Sequence, residues 1–185
     1  NGLSRFEIQE LFIDREGSVW VGEVGHGLKR WVGQDRWEGY TVADGLSDDL
    51  VWDTVRDQKN RLWIATESGL NWIPAGGVNP KVWQQPGIQT ARGGSLQVTA
   101  DGAIWLGTTP GALIRIDPNS LAGTQWKLPE VFDMLSDRKH LWAATGEGLY
   151  VADVDGPDRQ PRLVRDAAFS NPQGRFTDLS ADPNG

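Results

Sequence analysis

The chain has 185 residues, with 18 basic and 25 acidic side chains and a formal charge of −7, so a phosphate backbone or an anionic bilayer surface is repelled on average and neither nucleic acid nor membrane is an expected partner. No apolar run approaches a membrane span, and the absence of cysteine removes disulfides, thiolate catalysis and cysteine–zinc sites together. Ten tryptophans and 23 glycines against one methionine point to a repeated packing role, because each indole needs room and a partner for its N–H.

Taken in chain order, the elements repeat. "IQELFID" (8–14) alternates apolar and polar residues as a half-buried strand does. "DREG" (14–17) is a turn, "VWVGE" (19–23) a short apolar strand with both faces covered, and "GLKRWV" (27–32) and "RWEGYTV" (36–42) two further strands. The second unit repeats this as "VWDTVRD", "DQKN", "LWIAT" and "GLNWIP", closing on "PKVWQQP". The third has "ADG", "IWLGT" and "ALIRID", and the fourth "DRKH", "LWAAT" and "GLYVAD". The tryptophans at the shared position, Trp20, Trp63, Trp105 and Trp142, follow one another after 43, 42 and 37 residues. Small residues stand two places after each: Gly22, Ala65, Gly107 and Ala144.

Four strands per forty or so residues, with no helical periodicity, predict an all-β fold of the β-propeller class: four four-stranded antiparallel blades at about 1–43, 44–87, 88–129 and 130–172. "FTDLSADPNG" (176–185) matches "IQELFIDREG" in register, so 173–185 reads as the first strand of a fifth blade. A single blade cannot bury both its faces, so the chain is expected to be part of a larger propeller or to close against another copy of itself.

The stretches "DREGSVWVG…GLKRW" (14–31), "DQKNRLWIATESGLNW" (57–72) and "DGAIWLGT…LIRID" (101–117) resemble the two-component regulator propeller repeat; the fourth unit departs from it by lacking the turn glycine. The resemblance implies a non-catalytic sensor segment of a membrane-anchored bacterial signalling protein, exported to the periplasm ahead of a histidine kinase or diguanylate cyclase module. It implies nothing about the ligand, because the motif is a scaffold motif. Residues 101–120 are also similar to repeats of streptogramin lyases, propellers that use a metal ion with paired histidines. That leaves a lyase as the enzymatic alternative and a protein-interaction adaptor as the structural one.

Candidate chemistry is sparse. His140 occupies a turn slot, and His26 lies in "EVGHGL", a loop one residue longer than its counterpart "TESGL". The loops between second and third strands and those between blades are expected to share a face. Glu23, His26, Asp49, Trp52, Glu67, Arg92, Glu147 and Arg175 are therefore the candidate ligand-binding residues, with Asp48 and Thr108 beside them. Trp52 is the foremost of the tryptophans outside the repeat position. The aspartates at 14, 57, 101 and 137 are read as turn caps rather than calcium ligands. "DVDGPD" (153–158) has its glycine too early for a calcium loop, and "GHGLKR" and "GGSLQ" lack the glycines of a dinucleotide loop and a nucleophile elbow. No cofactor or metal is expected. The expected partner is a small molecule or oligosaccharide, or a second copy through open blade faces.

Overall fold

The computed structural model describes residues 7–155, 159–164 and 178–180. Within them, sixteen strands form four four-stranded antiparallel sheets, each a meander of consecutive strands. The first sheet comprises β1 (Ile8–Ile13), β2 (Val19–Glu23), β3 (Gly27–Gly33) and β4 (Arg36–Tyr40). The second comprises β5 (Val51–Arg56), β6 (Leu62–Thr66), β7 (Gly69–Ile73) and β8 (Lys81–Trp83). In the third are β9 (Gly93–Val98), β10 (Ile104–Thr108), β11 (Ala112–Ile116) and β12 (Gly123–Lys127). The fourth holds β13 (Val131–Ser136), β14 (His140–Thr145), β15 (Gly148–Asp153) and β16 (Arg162–Leu163). These are sheets of the propeller-blade type, and the fold class is all-β. The predicted fifth strand at 173–185 falls largely outside the described residues, which include only 178–180 of it.

The chain divides into two compact units, residues 1–93 and 94–185, each holding two sheets. In the first, Trp20, Leu28 and Tyr40 of the first sheet meet Val51, Leu62, Ile64 and Ile73 of the second in one buried cluster. In the second, Trp105 and Leu113 of the third sheet meet Val131, Met134, Leu141 and Ala152 of the fourth. Trp20 and Trp105 thus each lie between their own sheet and the next. Where the small residue two places on is glycine, its missing side chain makes room for neighbouring strands. A Cβ on Gly107 would overlap Val131 Cγ1 of the following sheet's first strand, and one on Gly22 would crowd Glu10 Cβ at 3.2 Å and touch Val51 Cβ at 3.4 Å.

Each indole N–H is bound to the turn that precedes it. Trp20 Nε1 donates to Asp14 Oδ2 at 2.9 Å, Trp63 to Asp57 Oδ2 at 2.9 Å and Trp142 to Asp137 Oδ2 at 3.0 Å. The other carboxylate oxygen caps the turn, as Asp14 Oδ1 does for the N–H groups of Glu16 and Ser18 at 3.0 and 2.8 Å. One carboxylate therefore ties a hairpin to the core residue of the strand that follows. The third sheet corrects the sequence alignment. Trp105 donates to Thr99 Oγ1 at 3.2 Å, Thr99 in turn donates to Asp101 at 2.5 Å, and it is Thr99, not Asp101, whose N–H closes the turn. Trp142 also differs from expectation. It is half-buried, whereas Trp20, Trp63 and Trp105 are at most 3% exposed.

The recurrent Gly-Leu pair has a steric cause. Gly27 and Gly111 adopt φ of +75° and +95°, and a Cβ on either would strike the carbonyl oxygen of Tyr40 or Leu128. In the first unit the clasp also reaches across sheets. Arg56 of β5 binds Asp14 Oδ2 at 2.8 Å, and its guanidinium lies 5.6 Å from the Trp20 ring centroid, with Arg30 at 5.3 Å. Burial of the Asp14 carboxylate works against its charge, but the Trp20 indole, Arg56 and the Ser18 N–H outweigh that and hold it below the ordinary carboxylate range.

Two outcomes follow for Asp14. Replacing it with Asn leaves Arg56 buried without its counter-charge and costs about 3 kcal/mol of unfolding free energy in urea titrations. Because the folded-state pKa is depressed, the wild-type contribution is present above about pH 4 and is lost as pH falls through the depressed value. The Asp14→Asn variant therefore shows a shallower loss of stability across that acid range.

Candidate functional site

The first strands carry a recurrent irregularity that positions the leading candidate. Register shifts fall between Ile8 and Glu10 in β1, between Val51 and Asp53 in β5 and between Val131 and Asp133 in β13. Each is a β-bulge with one inserted residue: Gln9, Trp52 and Phe132. A bulge re-aims a side chain away from the alternating pattern. Trp52 is thus a bulge residue at the loop end of β5, half-buried, rather than a regular member of the strand.

Around it, backbone hydrogen bonds string the loops of the first unit together. The N–H of Gly27 donates to Asp49 O at 2.8 Å, that of Glu67 to Leu50 O at 3.0 Å, and that of Arg92 to Glu67 O at 2.7 Å. The Glu67 carboxylate is the hub. Its Oε2 accepts the Trp52 indole N–H at 3.0 Å and its Oε1 the Arg92 Nε–H at 3.1 Å. Arg92 is 64% exposed and adopts φ +55°, a left-handed conformation that a non-glycine residue rarely takes. Beside Glu67, Ser68 Oγ donates to Asp48 Oδ2 at 2.6 Å, while Asp48 Oδ1 caps Leu50 N at 2.9 Å. The structure therefore brings Glu67 into direct contact with both Trp52 and Arg92, with Asp48 adjacent through the 67–68 turn. A part-exposed indole, a guanidinium edge and two carboxylates can stack on and hydrogen-bond a polyhydroxylated or charged small molecule.

The other candidates are placed differently. Asp49 spends its carboxylate on Val42 N at 2.7 Å. His26 is exposed at the tip of its loop, with Nδ1 2.8 Å from Val24 O. Glu23 is wholly buried, paired with Lys29 Nζ at 2.5 Å. It stands where the other sheets have Thr66, Thr108 and Thr145. Thr66 and Thr145 hydrogen-bond the carbonyls of Gly69 and Gly148, and Thr108 binds Ala112 N at 3.0 Å, so each closes a turn. Glu147 lies in the second unit, exposed, in the turn that matches that of Glu67. Arg175 lies outside the described residues. His140 sits in its turn with Nδ1 3.1 Å from Asp137 Oδ2. Among the described residues, no group of three or more His, Asp or Glu is placed to hold a metal ion.

A second recess lies at the opposite, turn end of the first unit, a cavity of about 230 Å³ bounded by Trp20, Tyr40, Arg30, Arg56 and Asn60. Its polar groups are engaged with one another: Asn60 Nδ2 with Glu16, Arg30 with Ser18 and Arg56 with Asp14.

Sequence reasoning did not reach the Glu67 hub. Trp52, Glu67 and Arg92 are 15 and 25 residues apart, and only the loop-to-loop backbone ladder unites them. The turn-to-indole bond did leave a trace, a constant spacing of six residues in Asp14–Trp20, Asp57–Trp63 and Thr99–Trp105.

Residues 45–68 match the family model described as "Two component regulator propeller". No curated protein matches the chain. Among solved structures, the chain is similar to the extracellular domain of BT4673, described as a hybrid two component system protein of B. thetaiotaomicron. The TM-score is 0.78 at 20% identity, covering 96% of this chain and 25% of that one. A similar domain of BT3049 from the same organism gives 0.70 at 18% identity, covering 88% and 23%. Virginiamycin B lyase of Staphylococcus aureus, solved with quinupristin, gives 0.69 at 13% identity, covering 91% and 60%. The chain thus spans about a quarter of the length of the two-component domains it matches. At these identities the likeness shows the propeller fold.

If Glu67 is the hub, Glu67→Ala leaves the Trp52 indole N–H to solvent. Its hydrogen–deuterium exchange, followed by NMR, then accelerates about 10-fold or more, as loss of a charge-assisted bond requires, while the Trp63 indole is unaffected.

Proposed function

We propose, on the premise that the chain carries the two component regulator propeller repeat, that it is part of a signal-sensing propeller outside the cytoplasm, in the periplasm, and that it recognises a ligand without transforming it. The observation that carries this reading is the hub at Glu67, where a bulge residue, a carboxylate and a strained, exposed arginine from three separate loops meet. Loops carry function on rigid scaffolds, and the scaffold here is the hydrogen-bonded ladder of buried strands beneath them. The class of ligand that suits the group is a small molecule or oligosaccharide with hydroxyls for Asp48 and Glu67, a flat face for Trp52 and an acceptor for the free edge of Arg92. Coupling to a histidine kinase or diguanylate cyclase module completes the proposed role. The similarity of BT4673 and BT3049 domains supports it at the level of fold.

The test is a thermal-shift screen against neutral and acidic oligosaccharides, peptides and divalent metals, followed by calorimetry on hits. A sugar or small-molecule hit is expected to be weakened at least about 10-fold by Trp52→Ala and by Arg92→Ala, with the unliganded unfolding midpoint little changed. Binding that ignores both substitutions would move the site elsewhere, and turnover of quinupristin would replace the sensor with the lyase reading that the Staphylococcus aureus enzyme suggests.

A further inference from the structure

The loops around Glu67 have an uneven hydrogen-bond balance. Asp48 Oδ1 and Oδ2 already accept from Leu50 N and Ser68 Oγ, Asp49 Oδ1 accepts from Val42 N, and the two oxygens of Glu67 accept from Trp52 and Arg92. The acceptors here are largely spent, and the donors are not. Arg92 uses its backbone N–H on Glu67 O and its Nε–H on Glu67 Oε1, while its terminal nitrogens Nη1 and Nη2 make no hydrogen bond or ion pair with the described residues. Glu67 therefore occupies the Nε position and leaves the end of the guanidinium formed by Nη1 and Nη2 to solvent.

That end is held in place. Arg92 is tied to Glu67 through both its backbone and its side chain, and its φ of +55° fixes the direction in which the side chain leaves the loop. The residue immediately before the first strand is Glu7, Leu50 and Glu130 in the first, second and fourth sheets, and its carbonyl there receives the N–H of Val24, Glu67 and Gly146. Before β9 it is Arg92, so a cation stands at a position that is acidic or apolar in the other sheets. Trp52 is equally unspent on its ring. Trp20, Trp63 and Trp105 each stack on a second aromatic side chain, whereas the Trp52 ring meets neither a ring nor a cation among the described residues.

The geometry points to an organic carboxylate attached to a ring as the class of ligand this site takes, an inference that rests on the reading of the Glu67 group as the ligand site. The carboxylate lies across Nη1 and Nη2 of Arg92 in two parallel hydrogen bonds, a match of two planar groups that a hydroxyl or an ester cannot reproduce. The ring, of a hexuronate or of an aromatic acid, lies on the open face of Trp52. Asp48, Asp49 and Glu67 repel an anion that does not reach this arginine, so the surrounding acidity selects the placement instead of opposing it. Arg92 is thereby the specificity-determining residue of the site.

Calorimetric titration of the 185-residue chain with galacturonate and glucuronate oligosaccharides and with aromatic carboxylic acids, each paired with its methyl ester, tests the assignment. An acid is expected to bind at least about 10-fold more tightly than its ester. Arg92→Lys keeps the charge and loses the fork; it is expected to weaken the acid at least about 10-fold and to leave the ester and the unfolding midpoint unchanged. In NMR spectra the Trp52 indole N–H shifts on addition of the acid, while that of Trp63 stays in place. Equal binding of acid and ester, or an Arg92→Lys variant that binds the acid as the wild type does, overturns the carboxylate assignment and leaves ligand recognition at this site standing. Absence of binding by every acid and every ester overturns the assignment together with the reading on which it rests.

Discussion

A carboxylate shared between a hairpin and an indole is the interaction on which the rest of this molecule depends. A tryptophan buried in a closely packed wedge brings with it an N–H that cannot be left unpaired without a cost of about 1–3 kcal/mol. In three sheets the turn aspartate removes that cost and caps the hairpin with its second oxygen, so the same group sets the end of one strand and the depth of the next. The third sheet reaches the same result through a hydroxyl, with Thr99 donating to Asp101 and accepting from Trp105. What the repeat maintains is an acceptor at one point in space rather than a particular residue.

The clasp also explains why charge is buried in an otherwise apolar wedge. Arg56 enters the space between the first two sheets because Asp14 and the Trp20 ring receive it together, one by ion pair and the other through its π face. In the second sheet the equivalent aspartate is met from its own turn, by Arg61 at 2.5 Å. Whether the counter-charge comes from the same sheet or the next therefore varies along the chain, while an oxygen acceptor for the indole N–H is always supplied from the preceding turn.

The repeat was legible because its marks are local. Turn residues, an apolar strand of five and a Gly-Leu pair lie within about fifteen residues of one another, and each reports a steric or hydrogen-bonding need that any chain segment must meet for itself. The purpose of the small residues was harder to see, since Gly22 and Gly107 make room for Val51 and Val131, residues about 30 and 25 positions later in another sheet. The candidate site was harder still. Trp52, Glu67 and Arg92 could be named from their loops, yet that one carboxylate holds the other two depends on a bulge and on a left-handed arginine, neither of which has a sequence signature. Glu23 shows the converse: a loop carboxylate that looked available is buried, because Lys29 two places into the next strand turns back to it.

The bulge that recurs near the start of β1, β5 and β13 has a consequence for how such a chain can change over time. The inserted residue is glutamine, tryptophan or phenylalanine in the first, second and fourth sheets. Substitution there alters what a loop rim displays while the strands beneath keep their hydrogen bonds. The architecture thereby separates a place open to variation from the residues that hold it up, and new specificities can be tried at this one position in the first, second and fourth sheets without risking the scaffold.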